Sequence, residues 1–437
     1  MAKLRGFLVF VFVALSSVVA GASGGAVKSL GDVADNPSVQ TPQVETSARA
    51  VPVKKEWTIL IFNNANNNLE RLQLNAMNTL EFFGSRKDVN VVVQLGRPGT
   101  SGTDGNWKGA RRYLIAADND RNNINSPVLW QAEKCDMGDY KNVIDFAGWA
   151  AYNFPAKRYM LVIANHGYGW IDPSFGEKKT SRGISFDDLS GNYIRTAQMG
   201  PMLYGVDKAI GKKLDIFYSA ACLMQMVEVA YEIRNYADVL VASEASAYTS
   251  SVGEILWPNV VKAILDSPTL STDNLAKAVV DYYAYGLKTK NLSGTLSAVR
   301  GMYIENLAKE MSAWATLAME VNDQPAAKAA KMQAIRYDVD SYADLGDFLK
   351  IYTENMKATG PKADALRKLT AQALDHLQKF VVVRNAALGE CQRSAGIAIS
   401  LPARYSDALS WLPAFNALGF GKASEWGKFC VYLNQIK

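Results

Sequence analysis

The chain has 437 residues, 49% apolar and 20% charged, with a formal net charge of +5. This is the make-up of a globular protein able to bury a full core, and four cysteines are too few for a disulfide scaffold. No cysteine or histidine cluster has zinc spacing and no basic tract stands out, so neither a structural metal nor a nucleic-acid partner is expected.

Residues 1–22 read as an export signal. Met1-Ala-Lys-Leu-Arg5 is positive, 6–19 is apolar, and Ala20-Gly-Ala22 is a small-residue cleavage site. The apolar run is too short for a comfortable bilayer span and no later stretch is long enough for one. A secreted or periplasmic protein is therefore expected, without stable membrane insertion. Losing Lys3 and Arg5 with the leader lowers the net charge to about +3. Residues 23–53 are rich in small and polar types without periodicity, as in a disordered linker or propeptide.

Trp57-Thr-Ile-Leu-Ile-Phe62 is the first expected buried strand. Asn63-Asn-Ala-Asn-Asn-Asn-Leu69-Glu70 is turn-prone and opens a helix to about 83. A second strand covers 88–95, a loop 96–109, a short antiparallel piece 111–116 and a helix 141–154. Met160-Leu-Val-Ile-Ala-Asn-His166-Gly167 is another apolar run, followed by an exposed loop over 172–191 that holds Lys178, Lys179 and Arg182. A helix near 200–210 leads to Leu214-Asp-Ile-Phe-Tyr-Ser-Ala-Ala-Cys222; a helix over 223–236 and a strand over 238–243 follow. Alternating strands and helices predict right-handed crossovers and a three-layer α/β/α sandwich with a mainly parallel sheet over 54–258. Helical periodicity dominates 259–395, and Gly396-Ile-Ala-Ile-Ser-Leu401 reads as a late strand rejoining the core in the last segment, 396–437.

The two runs at 160–167 and 214–222 each deliver a reactive side chain where a strand stops. Chemistry collects at the carboxyl ends of parallel strands, and only two histidines exist in the chain. His166 and Cys222 are accordingly the parts of a base and a cysteine nucleophile. A helix starting just after Cys222 is expected to lower its thiol pKa. The Gly167 and Cys222 amides are candidates for an oxyanion hole, with no Cβ at Gly167 to block substrate. His376 sits on an amphipathic helix and reads as structural, as Asn63 to Asn68 read as a polar turn. Trp170 either lines a cleft or anchors the core. Lys178, Lys179 and Arg182 are a solvated loop or a processing site. Of Cys135, Cys391 and Cys430, at most two are able to pair.

Several blocks resemble the clostripain-type cysteine peptidases (family C11, clan CD): Trp57 to Phe62 with Ala65-Asn-Asn-Asn-Leu-Glu70, Asn165-His-Gly-Tyr-Gly-Trp170, Ala221-Cys-Leu-Met224 with Val227-Glu-Val-Ala-Tyr-Glu232, Tyr236 to Glu244, Asp344-Leu-Gly-Asp-Phe348 and Trp426-Gly-Lys-Phe429. The resemblance implies a caspase-like fold, a His166–Cys222 dyad acting on peptides or proteins, a preference for Arg or Lys before the cut, and maturation by cleavage between the dyad residues; no cofactor is expected, calcium having only weak support. Three departures stand out. The family's Asp two residues before the nucleophile is Ala220 here, so a basic side chain needs another carboxylate, Glu244 or Glu254. Its Ala-Asp-Asn-Asp-Leu-Glu is Ala65-Asn66-Asn67-Asn68-Leu69-Glu70, which weakens any calcium site. The loop over 245–253 lacks the usual Pro and Gly. Ala220, Ser243, Glu244 and Trp170 are the substrate-binding candidates. A catalytically silent exported binding protein with the same fold is the alternative.

Overall fold

In the computed structural model, which describes residues 53–171, 183–247 and 256–436, the run from Trp57 to Phe62 is the buried middle of β1 (Lys55–Asn64). The expected export signal, all but the last residue of the expected linker, Lys178, Lys179, Arg182 and Glu254 lie outside the described residues. β1 pairs with β2 (Val89–Arg97) on one side and β5 (Ala156–Ala164) on the other; β8 (Leu214–Ala220) and β9 (Ala237–Ala242) continue the row, all in parallel. Antiparallel strands complete both edges: β3 (Gly109–Leu114) and β4 (Val128–Ala132) beyond β2, and β10 (Gly294–Arg300) and β12 (Val382–Leu388) beyond β9.

Side chains alternate between the two faces of this sheet, and both faces are apolar because both are covered. Leu60, Phe62, Leu161, Ile163 and Phe217 pack under the helices Tyr140–Asn153 and Thr196–Ile210 and the later helices of the chain. Ile59, Ile61, Met160, Val162, Ile216 and Tyr218 pack under the helices Glu70–Phe83, Asn259–Asp266 and Thr272–Thr289. The result is the three-layer sandwich expected from the alternation of elements.

The helix-rich text beyond 258 also supplies β10 and β12. Small polar residues at Thr295 and Ser297, fully buried here, hide the strand pattern in the sequence. The expected late strand is β13 (Ala398–Ser400), which pairs with β11 (Tyr342–Asp344) and donates Ala398 N–H to the Gln225 carbonyl at 2.9 Å. The described part of the 172–191 segment is not exposed throughout. It enters β6 (Ile184–Asp187), fully buried and paired with β7 (Asn192–Ile194). Asparagines clamp it there: Asn64 and Asn67 donate to the Phe186 carbonyl at 2.9 and 2.8 Å, and Asn66 donates to Asp187 Oδ2 at 2.7 Å. All four cysteines are free thiols, and among the described residues no helix is long and apolar enough to cross a membrane.

Candidate active site

β5 and β8 are adjacent and parallel, in a register that sets Ala164 opposite Ala220. His166 and Cys222 each lie two residues beyond that matched pair, so both emerge at the same rim of the sheet. Tight packing fixes the approach. A Cβ on Gly167 would lie 2.6 Å from the Cys222 carbonyl oxygen and 2.8 Å from Ala221 Cβ. The glycine therefore makes room for the nucleophile's own backbone, where the sequence suggested room for substrate. Gly169 holds φ +71, a region glycine enters without strain, and abuts the Tyr342 ring.

The half-buried imidazole of His166 is held from two sides. Its Nε2 donates to Asn68 Oδ1 at 2.7 Å, leaving Nδ1 as the basic nitrogen. The Tyr168 ring stacks at 6.3 Å between centroids. Asn68 is thus an orienting group that sequence reasoning did not single out, since nothing separates it from its neighbours in an asparagine run. Its turn is itself fixed. Asn67 Oδ1 accepts from Leu69 N–H at 2.9 Å, and Glu70 forms a buried ion pair with Arg97 at 2.7 Å.

The Cys222 sulfur accepts the Ala247 N–H at 3.2 Å. This contact comes from backbone pairing after the two strands, with Leu223 N–H on Ala245 O and Gln225 N–H on Ser243 O. Leu223 takes φ +62 and turns the chain sharply. These bonds postpone the expected helix, which begins at Val227 instead of Leu223. Cys222 consequently lacks the helix N-terminus that was expected to acidify it. Burial pushes its thiol above the ordinary 9.0, against the lowering hydrogen bond from Ala247. Burial likewise holds His166 below 6.5, against the pull of Asp188. Both shifts favour the uncharged forms, thiol and imidazole.

His166 and Cys222 both line a cavity of about 340 Å³, together with Tyr218 and Ala220 of β8. Of the four substrate-binding candidates, Ala220 alone lines it. Trp170 is a core anchor, donating to Ser400 Oγ at 2.5 Å and packing on Trp411 and Phe415. Ser243 Oγ bonds to the Ala245 carbonyl at 2.8 Å and shapes the loop from within. Glu244 is fully buried; burial, then the neighbouring Asp344 carboxyl, raises its pKa well above 4.5, so it supplies no carboxylate to the cavity. His376 bonds to Glu310 at 2.8 Å, on the helix expected from its sequence. Among the described residues no group of three or more His, Cys, Asp or Glu is placed to hold a metal ion.

The model of the Clostripain family matches residues 61–434. Clostripain of Hathewaya histolytica is 28% identical over 229 residues, 48% of this chain, and the match spans 42% of that protein's length. An inactive zymogen C11 protease from Parabacteroides distasonis has a TM-score of 0.60 at 14% identity, over 85% of this chain and 99% of that one. A secreted C11 cysteine protease from Bacteroides thetaiotaomicron has a TM-score of 0.60 at 16% identity, over 86% and 100%. At such identities these two structures establish a common fold, the caspase-like sandwich. With its family match covering most of the sequence and this fold beneath it, the chain belongs to the Clostripain family of peptidases.

Proposed function

We propose that this chain is an exported cysteine endopeptidase in which Cys222 is the nucleophile and His166 its base. The observation that carries the reading is the matched register of β5 and β8, which brings the ends of both strands to one rim beside one cavity. As Cys222 Sγ attacks the scissile carbonyl, its proton passes to His166 Nδ1, because burial favours the uncharged form of each group. The Gly167 and Cys222 amides receive the oxyanion. The intermediate collapses as His166 protonates the departing amine, and water, deprotonated by His166, then releases the acyl group from sulfur. The reaction as written uses no cofactor. Asn68 orients the ring throughout.

A structure similar to this chain is that of a secreted family member bound to an irreversible peptide inhibitor, from Bacteroides thetaiotaomicron (TM-score 0.56, 16% identity, 85% of this chain and 99% of that one). It supports peptide or protein substrates, and together with the export signal expected at 1–22 it supports export. The zymogen among the similar structures supports maturation by cleavage, and the family resemblance sets that cut between His166 and Cys222. The hydrogen bonds that Ala247 makes with the Cys222 sulfur favour a second reading, a silent binding protein whose thiol is capped. Hydrolysis of an unfolded protein substrate separates the two. Purified wild type cleaves it while Cys222→Ala and His166→Ala do not; equal cleavage by all three, or none by any after processing, ends the endopeptidase reading.

A further inference from the structure

The side chain preceding the scissile bond is attached to the carbon next to the attacked carbonyl, so it must enter whatever cavity opens at the Cys222 sulfur. That cavity takes in Tyr218 and Ala220 of β8, which point the same way because they are two residues apart. Trp257, Tyr283, Leu69 and Leu256 also line it. Each of these six residues is under 10% exposed. Trp257 Nε1 donates to Gln73 Oε1 at 3.3 Å, which ties down the amide oxygen in the lining.

Among the described residues no Asp or Glu lines the cavity. Against this described lining, which does not include Glu254, a guanidinium or ammonium would give up water without a counter-charge. A flat apolar side chain would meet three aromatic rings, and such rings favour edge-to-face and offset contacts with another. The volume, about 340 Å³, is at the small end of ligand cavities and suits one large side chain. We infer that this pocket selects substrates with a large apolar residue, aromatic before aliphatic, immediately before the cut, in place of the Arg or Lys implied by the family resemblance. The inference rests on the endopeptidase reading of the same site.

The test uses the mature full-length protein and peptidyl acyloxymethyl ketones that differ only in their last residue: Phe, Leu, Arg, Lys and Asp. The second-order rate of Cys222 modification is followed by intact mass. Phe is expected to react about 100-fold faster than Arg or Lys, with Leu between. Ala220→Asp, which adds a carboxylate to the pocket lining, is expected to bring Arg and Lys up to or above Phe, while the neutral Ala220→Asn is not. Arg or Lys reacting as fast as Phe in the wild type would overturn the inference and leave the endopeptidase reading standing. No modification of Cys222 by any ketone would overturn both. If Ala220→Asp does not fold, the wild-type order across the five ketones still decides.

Discussion

Asn68 gives the sharpest single perturbation of the proposed chemistry. Its Oδ1 accepts the His166 Nε2 proton at 2.7 Å from an exposed position on the asparagine turn. Removing it with Asn68→Ala takes away one neutral hydrogen bond, worth about 1 kcal/mol net. At about 1.4 kcal/mol per tenfold in rate, kcat/KM should fall roughly five-fold. The thermal midpoint should barely move, because an exposed polar side chain is removed from a turn held by Asn64, Asn66 and Asn67. Asn68→Asp, the residue implied by the family resemblance, keeps an acceptor and adds a negative charge beside the imidazole. It stabilises imidazolium, so the acid limb of the pH profile of kcat/KM should move upward by several tenths of a unit while activity at pH 8 is retained. The assay is steady-state hydrolysis of one fluorogenic peptide from pH 5 to 10. An Asn68→Ala enzyme with unchanged kcat/KM, or an Asn68→Asp enzyme with an unmoved acid limb, would refute the orienting role.

The remaining predictions come from burial and from chain order. Because burial lowers His166 and raises Cys222, kcat/KM of the wild type should be flat from about pH 6.5 to 9, the ordinary values of the two groups, with limbs outside that window; an alkaline limb well below 9 would mean a thiolate–imidazolium pair at rest instead. Glu228 is fully buried, accepts Ser400 N–H at 2.9 Å, and is pushed by that burial up to about 7. Its folded pKa exceeds the unfolded one, so its contribution is whole below about 4.5 and is lost as pH rises to about 7. Wild type should therefore lose up to about 3 kcal/mol across that window relative to Glu228→Gln, and parallel melting curves for the two would contradict this. Purified wild type should carry a nick between residues 172 and 191 that is absent from Cys222→Ala. An apolar pocket further requires a self-made cut to follow an apolar residue, so terminal sequencing that finds Cys222-dependent cleavage after Lys178, Lys179 or Arg182 would contradict it.

Strand runs were the most legible part of the chain. Trp57 to Phe62, Met160 to Ala164 and Leu214 to Ala220 are mainly apolar because helices cover both faces of the sheet, and each forms a buried strand. The dyad could be read because His166 and Cys222 terminate such runs, and register follows once the strands are adjacent. Contacts made across the chain were not legible. Asn68 meets His166 over 98 residues, and Ala247 meets Cys222 over 25, through a turn whose backbone bonds replace a helix start. Glu244 looked like a pocket residue because it follows a strand end, yet it turns into the interior beside Asp344. The pocket wall escaped notice for a similar reason: Tyr218 reads as core, and Trp257 and Tyr283 reach it from helical text with no mark of function.

The most direct measurement is capture of the acyl-enzyme. A slowly deacylating ester substrate, quenched in acid during the burst and mapped by peptide mass spectrometry, should leave one acyl group on Cys222, removable by hydroxylamine, and its formation should slow at least 100-fold in His166→Ala. Turnover without an adduct, or an acyl group on any other residue, would contradict the claim that this sulfur and this imidazole share one reaction.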